Sequence, residues 1–213
     1  MAAARERGAG RRYSGMDAAE RTRARRAAIL EAVLELFGTA GFAATSVKQI
    51  CGTAGLTERY FYESFRDRHA ALAGVYGELV AELRAATEAA ITAADGDIGA
   101  AAHDGLAAFV GYLTADPRRA RIILIEVVGV SPEIEELRHG VLRGFAGLIA
   151  SVWSADEGID RSDERSRLTA IALSGAVNNL LVDWMMTGMR QSPETLVDVC
   201  TTLFLAALDG LKR

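Results

Sequence analysis

The sequence predicts an all-α protein of about nine helices, with an N-terminal three-helix head carrying a helix-turn-helix and a larger helical body. Three observations predict it. Apolar residues recur at i, i+3, i+4 and i+7 in successive segments of a 213-residue chain that is 50% apolar. All three prolines follow a good N-cap, in Asp116-Pro117, Ser131-Pro132 and Ser192-Pro193, and proline at the first helical position starts helices. No segment alternates apolar and polar residues convincingly enough to read as a strand.

Residues 1–20 hold Arg5, Arg7, Arg11 and Arg12 among Ala, Gly and Ser without apolar periodicity, the composition of a disordered arm. Alternatively these arginines, continuing into Arg21, Arg23, Arg25 and Arg26, lie along a phosphate backbone or enter a minor groove. A first helix is expected from near Thr22 to about Thr39, with Ile29, Ala32, Val33, Leu36 and Phe37 on one side. Ser46 and Gln49 have the spacing of a capping box, so a second helix starts there, buries Val47, Ile50, Cys51 and Ala54, and leaves Lys48 outside. Gly55 stops it, because glycine enters the left-handed conformation without a steric penalty. Leu56 and Thr57 then supply a staple residue and a new N-cap. On the third helix Phe61 and Phe65 face inward, Arg59, Tyr60 and Glu63 point away, and Tyr62 and Ser64 flank them. Long hydrogen-bonding side chains on the outside of so short a helix suit insertion into a DNA major groove.

Within residues 26–76 several short patterns stand together: Ile29-Leu30-Glu31-Ala32 through Leu36-Phe37, Gly41-Phe42, Thr45-Ser46, Ala54-Gly55-Leu56-Thr57, Tyr62-Glu63-Ser64-Phe65 and Arg66-Asp67-Arg68. In this combination the segment resembles the tetracycline-repressor (TetR) family of bacterial transcription regulators. The chain departs from the family pattern at Arg59, where a small residue is common, at Arg68 in place of lysine, at Cys51 in place of alanine, and at Glu63. A carboxylate near phosphates is unfavourable unless it accepts from a cytosine amino group, so Glu63 is either a base reader or turned aside. The candidate DNA contacts are Thr45, Ser46, Lys48, Thr57, Glu58, Arg59, Tyr60, Tyr62, Ser64 and Arg68. Ser46 and Tyr62 are assigned to phosphate positioning, and Arg59 with Tyr60 to base reading.

Net charge supports the same division. The chain carries −4 overall, but residues 1–72 hold 12 basic and 8 acidic side chains and residues 73–213 hold 12 and 20, giving +4 and −8. Phosphate neutralisation supplies most non-specific DNA affinity, so a basic head on an acidic body fits a DNA-binding protein. Domains are expected at 21–70 for DNA binding and 71–213 for ligand binding and dimerisation.

Asp67 caps a long fourth helix whose Leu72, Tyr76, Leu79, Leu83 and Thr87 trace one side, and the polar AADGDIG segment after Thr92 ends it. Body helices are expected from about Ala101 to Ala115, Pro117 to Val128, Pro132 to Trp153, Asp163 to Thr187 and Pro193 to Leu211, with SADEGIDRSD as a loop. The last two are apolar over more of their circumference than one buried face needs, with Leu173, Val177, Leu180 and Trp184 opposite Ala172, Asn179, Val182 and Met186. The resemblance implies that helices 163–187 and 193–211 form a four-helix bundle with a second subunit, and that a small molecule held in the body releases the protein from DNA. The effector is unknown and expected to be largely apolar. Candidate ligand contacts are Phe109, Tyr112, Ile122, Glu126, Trp153, Asn179, Asp183 and Met186. Glu126 stands out, because a carboxylate amid Ile122-Ile123-Leu124-Ile125 and Val127-Val128 must be satisfied if buried.

Other classes find less support. His69, His103 and His139 lack metal spacing, no nucleophile–base pair is evident, and Cys51 and Cys200 fall in apolar patterns where a free cysteine is a small hydrophobe. No metal, cofactor or enzymatic activity is expected. The first thirty residues form no signal peptide, and Ile122 to Val130 is too short to span a bilayer, so a cytoplasmic protein without membrane contact is expected. The functional expectation is a ligand-responsive repressor binding a near-palindromic operator as a dimer. The alternative is a helical ligand- or protein-binding module without specific operator recognition.

Overall fold

The structure, a computed structural model, describes residues 17–156, 158–159 and 163–213. The expectations for Arg5, Arg7, Arg11 and Arg12 lie outside these residues, as does part of the 154–163 loop. Nine α-helices and no strand occur among the described residues.

Helix α1 is Ala18–Thr39, beginning four residues before the expected Thr22. The reason is a capping box: the Asp17 carboxylate accepts from Glu20 N, and the Glu20 carboxylate accepts from Asp17 N. Residues 17–20 are therefore a cap and first helical turn rather than arm, and Arg21, Arg23, Arg25 and Arg26 ride on a rigid helix. Helix α2 is Val47–Ala54, opened by the Ser46–Gln49 capping box and closed by Gly55 at φ +65°. Helix α3 is Glu58–Ser64. Thr57 occupies its N-cap in extended conformation, but the hydroxyl makes no capping bond. The head core is Ile29, Leu30, Val33 and Phe37 from α1, Ile50 and Cys51 from α2, and Phe61 and Phe65, all buried.

Helix α4, Arg68–Ala93, is capped by Asp67 and buries all five of Leu72, Tyr76, Leu79, Leu83 and Thr87. It packs along α5 (Ile98–Ala115) and touches α1 and α7 (Pro132–Trp153). Asp97 caps α5, which starts three residues earlier than expected. Helix α6, Pro117–Arg121, does not continue to Val128 as an α-helix. Residues Ile122–Glu126 form a π-helical turn instead, inserting an extra residue into the ladder. Helices α8 (Glu164–Met186, capped by Asp163) and α9 (Pro193–Leu211) complete the body. All three prolines occupy the first turn of a helix behind a side-chain cap.

By length and composition α8 is apolar enough to cross a membrane, and the expectation from Ile122 to Val130 overlooked it. It packs against α7 and α9. One side buries Leu173, Val177, Leu181 and Trp184, while Leu168, Ala172, Asn179 and Met186 remain exposed.

Head and body meet most closely where α1 crosses α6. A Cβ at Gly38 would lie 2.4 Å from Arg118 Cβ and 2.8 Å from its Cα, so backbone itself would have to move. We expect Gly38→Ala to destabilise the protein by ~1–3 kcal/mol in urea unfolding, the usual cost of overpacking. Gly77→Ala, at an open helical position, should instead stabilise by roughly 0.5–1 kcal/mol. Equal effects from the two substitutions would show that the α1–α6 contact is not close-packed in solution.

Candidate nucleic-acid interface and effector cavity

Phe61 and Phe65 anchor α3 to the head, and the residues between them face outward. Arg59 is 84% exposed at its side chain and Tyr62 is 56% exposed. Tyr60 is half-buried because the Arg25 guanidinium, arriving from α1, lies 4.5 Å from its ring centroid. Arg25 figured in the sequence only within the run of arginines read as a phosphate or minor-groove contact, not as a partner of Tyr60. Its place one helix away from Tyr60 is a tertiary relation without a local sequence signal. Glu63 is exposed and paired within the head: one carboxylate oxygen accepts from Arg59 Nε at 3.1 Å, and the other lies 3.8 Å from Arg25 Nη2. Lys48, Thr57 and Glu58 are exposed, as is Ser46, whose hydroxyl also serves the α2 capping box, and Ser64 is half-buried.

Two expected contacts face inward. Thr45 is buried, and its hydroxyl donates to Gly41 O at 2.8 Å. Arg68 donates from Nη1 to Phe42 O at 3.0 Å and to Thr45 O, and stacks on the Phe42 ring at 4.9 Å. It fastens the α1–α2 turn to the start of α4. Replacing Arg68 would therefore perturb the head itself, and Arg59 and Tyr60 are the informative positions for DNA affinity.

In the body an apolar cavity of about 90 Å³ lies among α4, α5, α7, α8 and α9. Ala101 and Ala102 on α5 line it with small side chains alongside Phe145, Val152 and Phe204, while Gly105 lets α4 approach so closely that a Cβ there would lie 2.8 Å from Ile91. The Phe109 and Phe145 rings meet edge to face at 5.1 Å and form part of the wall. The hydroxyls of Thr87 and Ser174 are already committed to Leu83 O and Leu142 O, which leaves the Asn178 amide as the uncommitted polar group of the lining. Cys200 also lines the cavity, and burial pushes its thiol up to about 11, the behaviour of an inert apolar group.

Of the eight expected ligand contacts, Phe109 lines this cavity. Tyr112 lies outside, donating to Glu82 at 2.8 Å beneath Arg119. Ile122 and Trp153 are fully buried core, the latter against Phe204. Asn179, Asp183 and Met186 are exposed, Met186 at 71%. Aromatic and polar identity marks packing as readily as a cavity, whereas the small residues of α5 and the buried side of α7 were the informative signal.

Glu126 joins body to head. From the end of the π-helical turn its carboxylate, 13% exposed, accepts from Phe42 N at 2.7 Å and from Arg121 Nε at 2.8 Å. Arg121 in turn donates to Thr39 O. A Cβ at Gly41, at φ +94°, would sit 3.1 Å from both the Arg121 and Glu126 termini, so glycine suits this approach sterically as well as conformationally. Nearby, Arg118 bridges Glu35 at 2.6 Å and Asp116 at 2.7 Å. Its hydrogen bonds hold the Asp116 carboxyl below the ordinary aspartate range.

Glu126→Ala should destabilise the protein by about 1–3 kcal/mol in urea unfolding, because the Phe42 amide loses its acceptor. Glu126→Gln keeps an acceptor and should cost less. For Asp116 the depressed folded pKa means that its ionised form stabilises the fold above the ordinary aspartate pKa and loses that contribution as pH falls through the folded value. Asp116→Asn keeps the helix cap but not the charge. The stability gap between wild type and this variant should be full near neutral pH and close only below about pH 4 in unfolding titrations. A constant gap would remove the charge from the argument.

Residues 29–73 match the family model described as bacterial regulatory proteins, tetR family. The chain is 25% identical over 191 residues to the HTH-type transcriptional regulator EthR of Mycolicibacterium smegmatis, covering 87% of each protein. Among solved structures it is similar to the transcriptional regulator FadR of Bacillus subtilis in complex with stearoyl-CoA, with TM-score 0.73, 16% identity, and 85% of this chain and 98% of that one covered. It is also similar to a putative transcriptional regulator from Pseudomonas aeruginosa PAO1, with TM-score 0.68, 23% identity and 94% of both chains covered. The solved structures share the fold of head and body alike. Residues 29–73 thus carry the sequence of the tetR-family model, and the chain as a whole is similar in fold to regulators of that family.

Proposed function

We propose that the protein is a cytoplasmic, dimeric transcriptional repressor, not an enzyme, that binds a near-palindromic operator and is released by a small, largely apolar effector. The observation that carries this reading is the division of α3. Phe61 and Phe65 are consumed by the core, while Arg59, Tyr60 and Tyr62 stand on the outer side on a rigidly held helix. Residues 21–70 serve as the DNA-binding domain and 71–213 as the effector and dimerisation domain. The apolar cavity supports an apolar effector, with Asn178 available for one polar group and no cation in the lining to balance a buried carboxylate. The acyl-CoA bound by the B. subtilis relative supports the general idea of a ligand in the body.

Dimerisation is supported by the exposed apolar stripe of α8, from Leu168 to Met186, beside exposed Val199 and Leu203 on α9. A twofold dimer would set two copies of α3 against half-sites about one duplex turn apart, ~34–36 Å. Selection of bound sequences from random DNA should therefore recover a near-palindrome. Leu203→Arg should yield a monomer in sedimentation and lose operator affinity, and Arg59→Ala, at a side chain 84% exposed, should abolish operator binding without changing thermal stability. Recovery of no sequence, with purely salt-dependent binding, would favour a helical binding module without specific recognition.

A further inference from the structure

We propose that Glu63 is a specificity-determining positioning residue of the recognition surface. It rests on the DNA-binding reading above. On this view Glu63 neither reads a base nor contacts phosphate. It holds Arg59 and Arg25 in fixed poses and withholds them from indiscriminate phosphate binding.

The geometry is that of a carboxylate shared between two cations from different helices. Arg59 Nε donates to one oxygen at 3.1 Å across one turn of α3. Arg25 Nη2 approaches the other at 3.8 Å from α1. Arg25 is itself fixed three ways: it stacks on Tyr60 at 4.5 Å, donates to Thr22 Oγ1 at 3.1 Å, and is only 25% exposed at its side chain. A guanidinium already stacked and paired is poorly free to follow a phosphate wherever it lies. Arg59 is far more exposed, so the Glu63 contact through Nε is what orients it. Because Nε is the engaged atom, the terminal Nη1 and Nη2 donors remain available to a guanine edge.

Two consequences follow for binding. Random DNA offers phosphates but no matching base edge, and there the Glu63 carboxylate subtracts from the attraction of two arginines. At the operator Arg59 recovers that loss through its base contact, already oriented. Glu63 thus widens the gap between specific and non-specific affinity while lowering both electrostatic terms.

The test compares wild type with Glu63→Gln on the selected operator and on a random duplex of equal length, by fluorescence anisotropy across a potassium chloride series. Expected is a rise of about two- to fivefold in affinity for random DNA, the scale of an exposed ion pair. The salt slope on random DNA should steepen by ~0.9, one added phosphate contact, and the specificity ratio should fall. In an Arg25→Gln, Arg59→Gln background the same substitution should have little remaining effect. Unchanged affinity and slope on random DNA overturn the proposal. So does selective loss of operator binding with random DNA unaffected, which would make Glu63 a base reader. An undiminished effect in the double-arginine background overturns it too, because the carboxylate would then act as bulk charge only. If wild type selects no operator at all, the regulator reading fails and this proposal falls with it. A selected operator together with an inert Glu63→Gln variant rejects the proposal alone.

Discussion

The Glu126 carboxylate is the constraint on which the relation of head to body depends. It satisfies the Phe42 amide, in the turn between the first two helices, from a position 84 residues further along the chain. An amide at that depth needs an acceptor, and a carboxylate flanked by Ile125 and Val127 needs donors. Each group solves the other's problem, and Arg121 completes the charge balance. Around this joint the remaining contacts fall into place: Arg118 clasps Glu35, Gly38 admits the α6 backbone, and Arg68 locks the same turn from the side of α4. The head is held at two points on one turn, one from α4 and one from the π-helical segment. That turn leads directly into α2 and α3, so its position sets where the recognition residues stand.

The same arrangement gives a physical route between cavity and DNA surface. The π-helical turn touches α1, α4 and α8, and both α4 and α8 contribute cavity lining through Thr87, Ile91, Leu173 and Asn178. A ligand larger than the present cavity must displace some of these helices, because interiors at native density do not compress. Displacement of α4 or α8 acts at Arg68 and Glu126 before it reaches α3. Effector and operator would then be coupled through a few short polar contacts at the turn, and the coupling would act equally in both directions.

Much of the architecture was legible in sequence because it is local. Caps at Ser46, Asp67, Asp116, Ser131 and Ser192, and the five-residue stripe of α4, are governed by residues a few positions apart. The Asp17–Glu20 box has the same signature as Ser46–Gln49, yet it sits at the end of an arginine-rich stretch whose composition suggested an arm. What escaped the sequence is nonlocal. Glu126 reads as a buried polar group in search of a partner, but nothing nearby names Phe42. Arg68 has the family's basic character at the start of α4, yet two carbonyls of the preceding turn hold it inward. Glu63 offered two readings, and the Arg25 that lies beside it comes from a different helix. The cavity was hidden for another reason: its lining includes small residues such as Ala101 and Ala102, and aromatic residues draw attention elsewhere.

The π-helical turn carries a consequence for the direction in which Glu126 points. An α-helix advances about 100° per residue, so one residue added to a helix rotates everything beyond it by that angle. The extra residue in Ile122–Glu126 is absorbed locally as a widened turn, and Glu126 emerges on the side of the helix that faces Phe42. Regular α-helical winding of the same residues would instead carry the carboxylate about 100° round the helix axis, away from Phe42, and part head from body. The winding of this one turn, rather than any ligand-lining side chain, is thus what sets the carboxylate against Phe42.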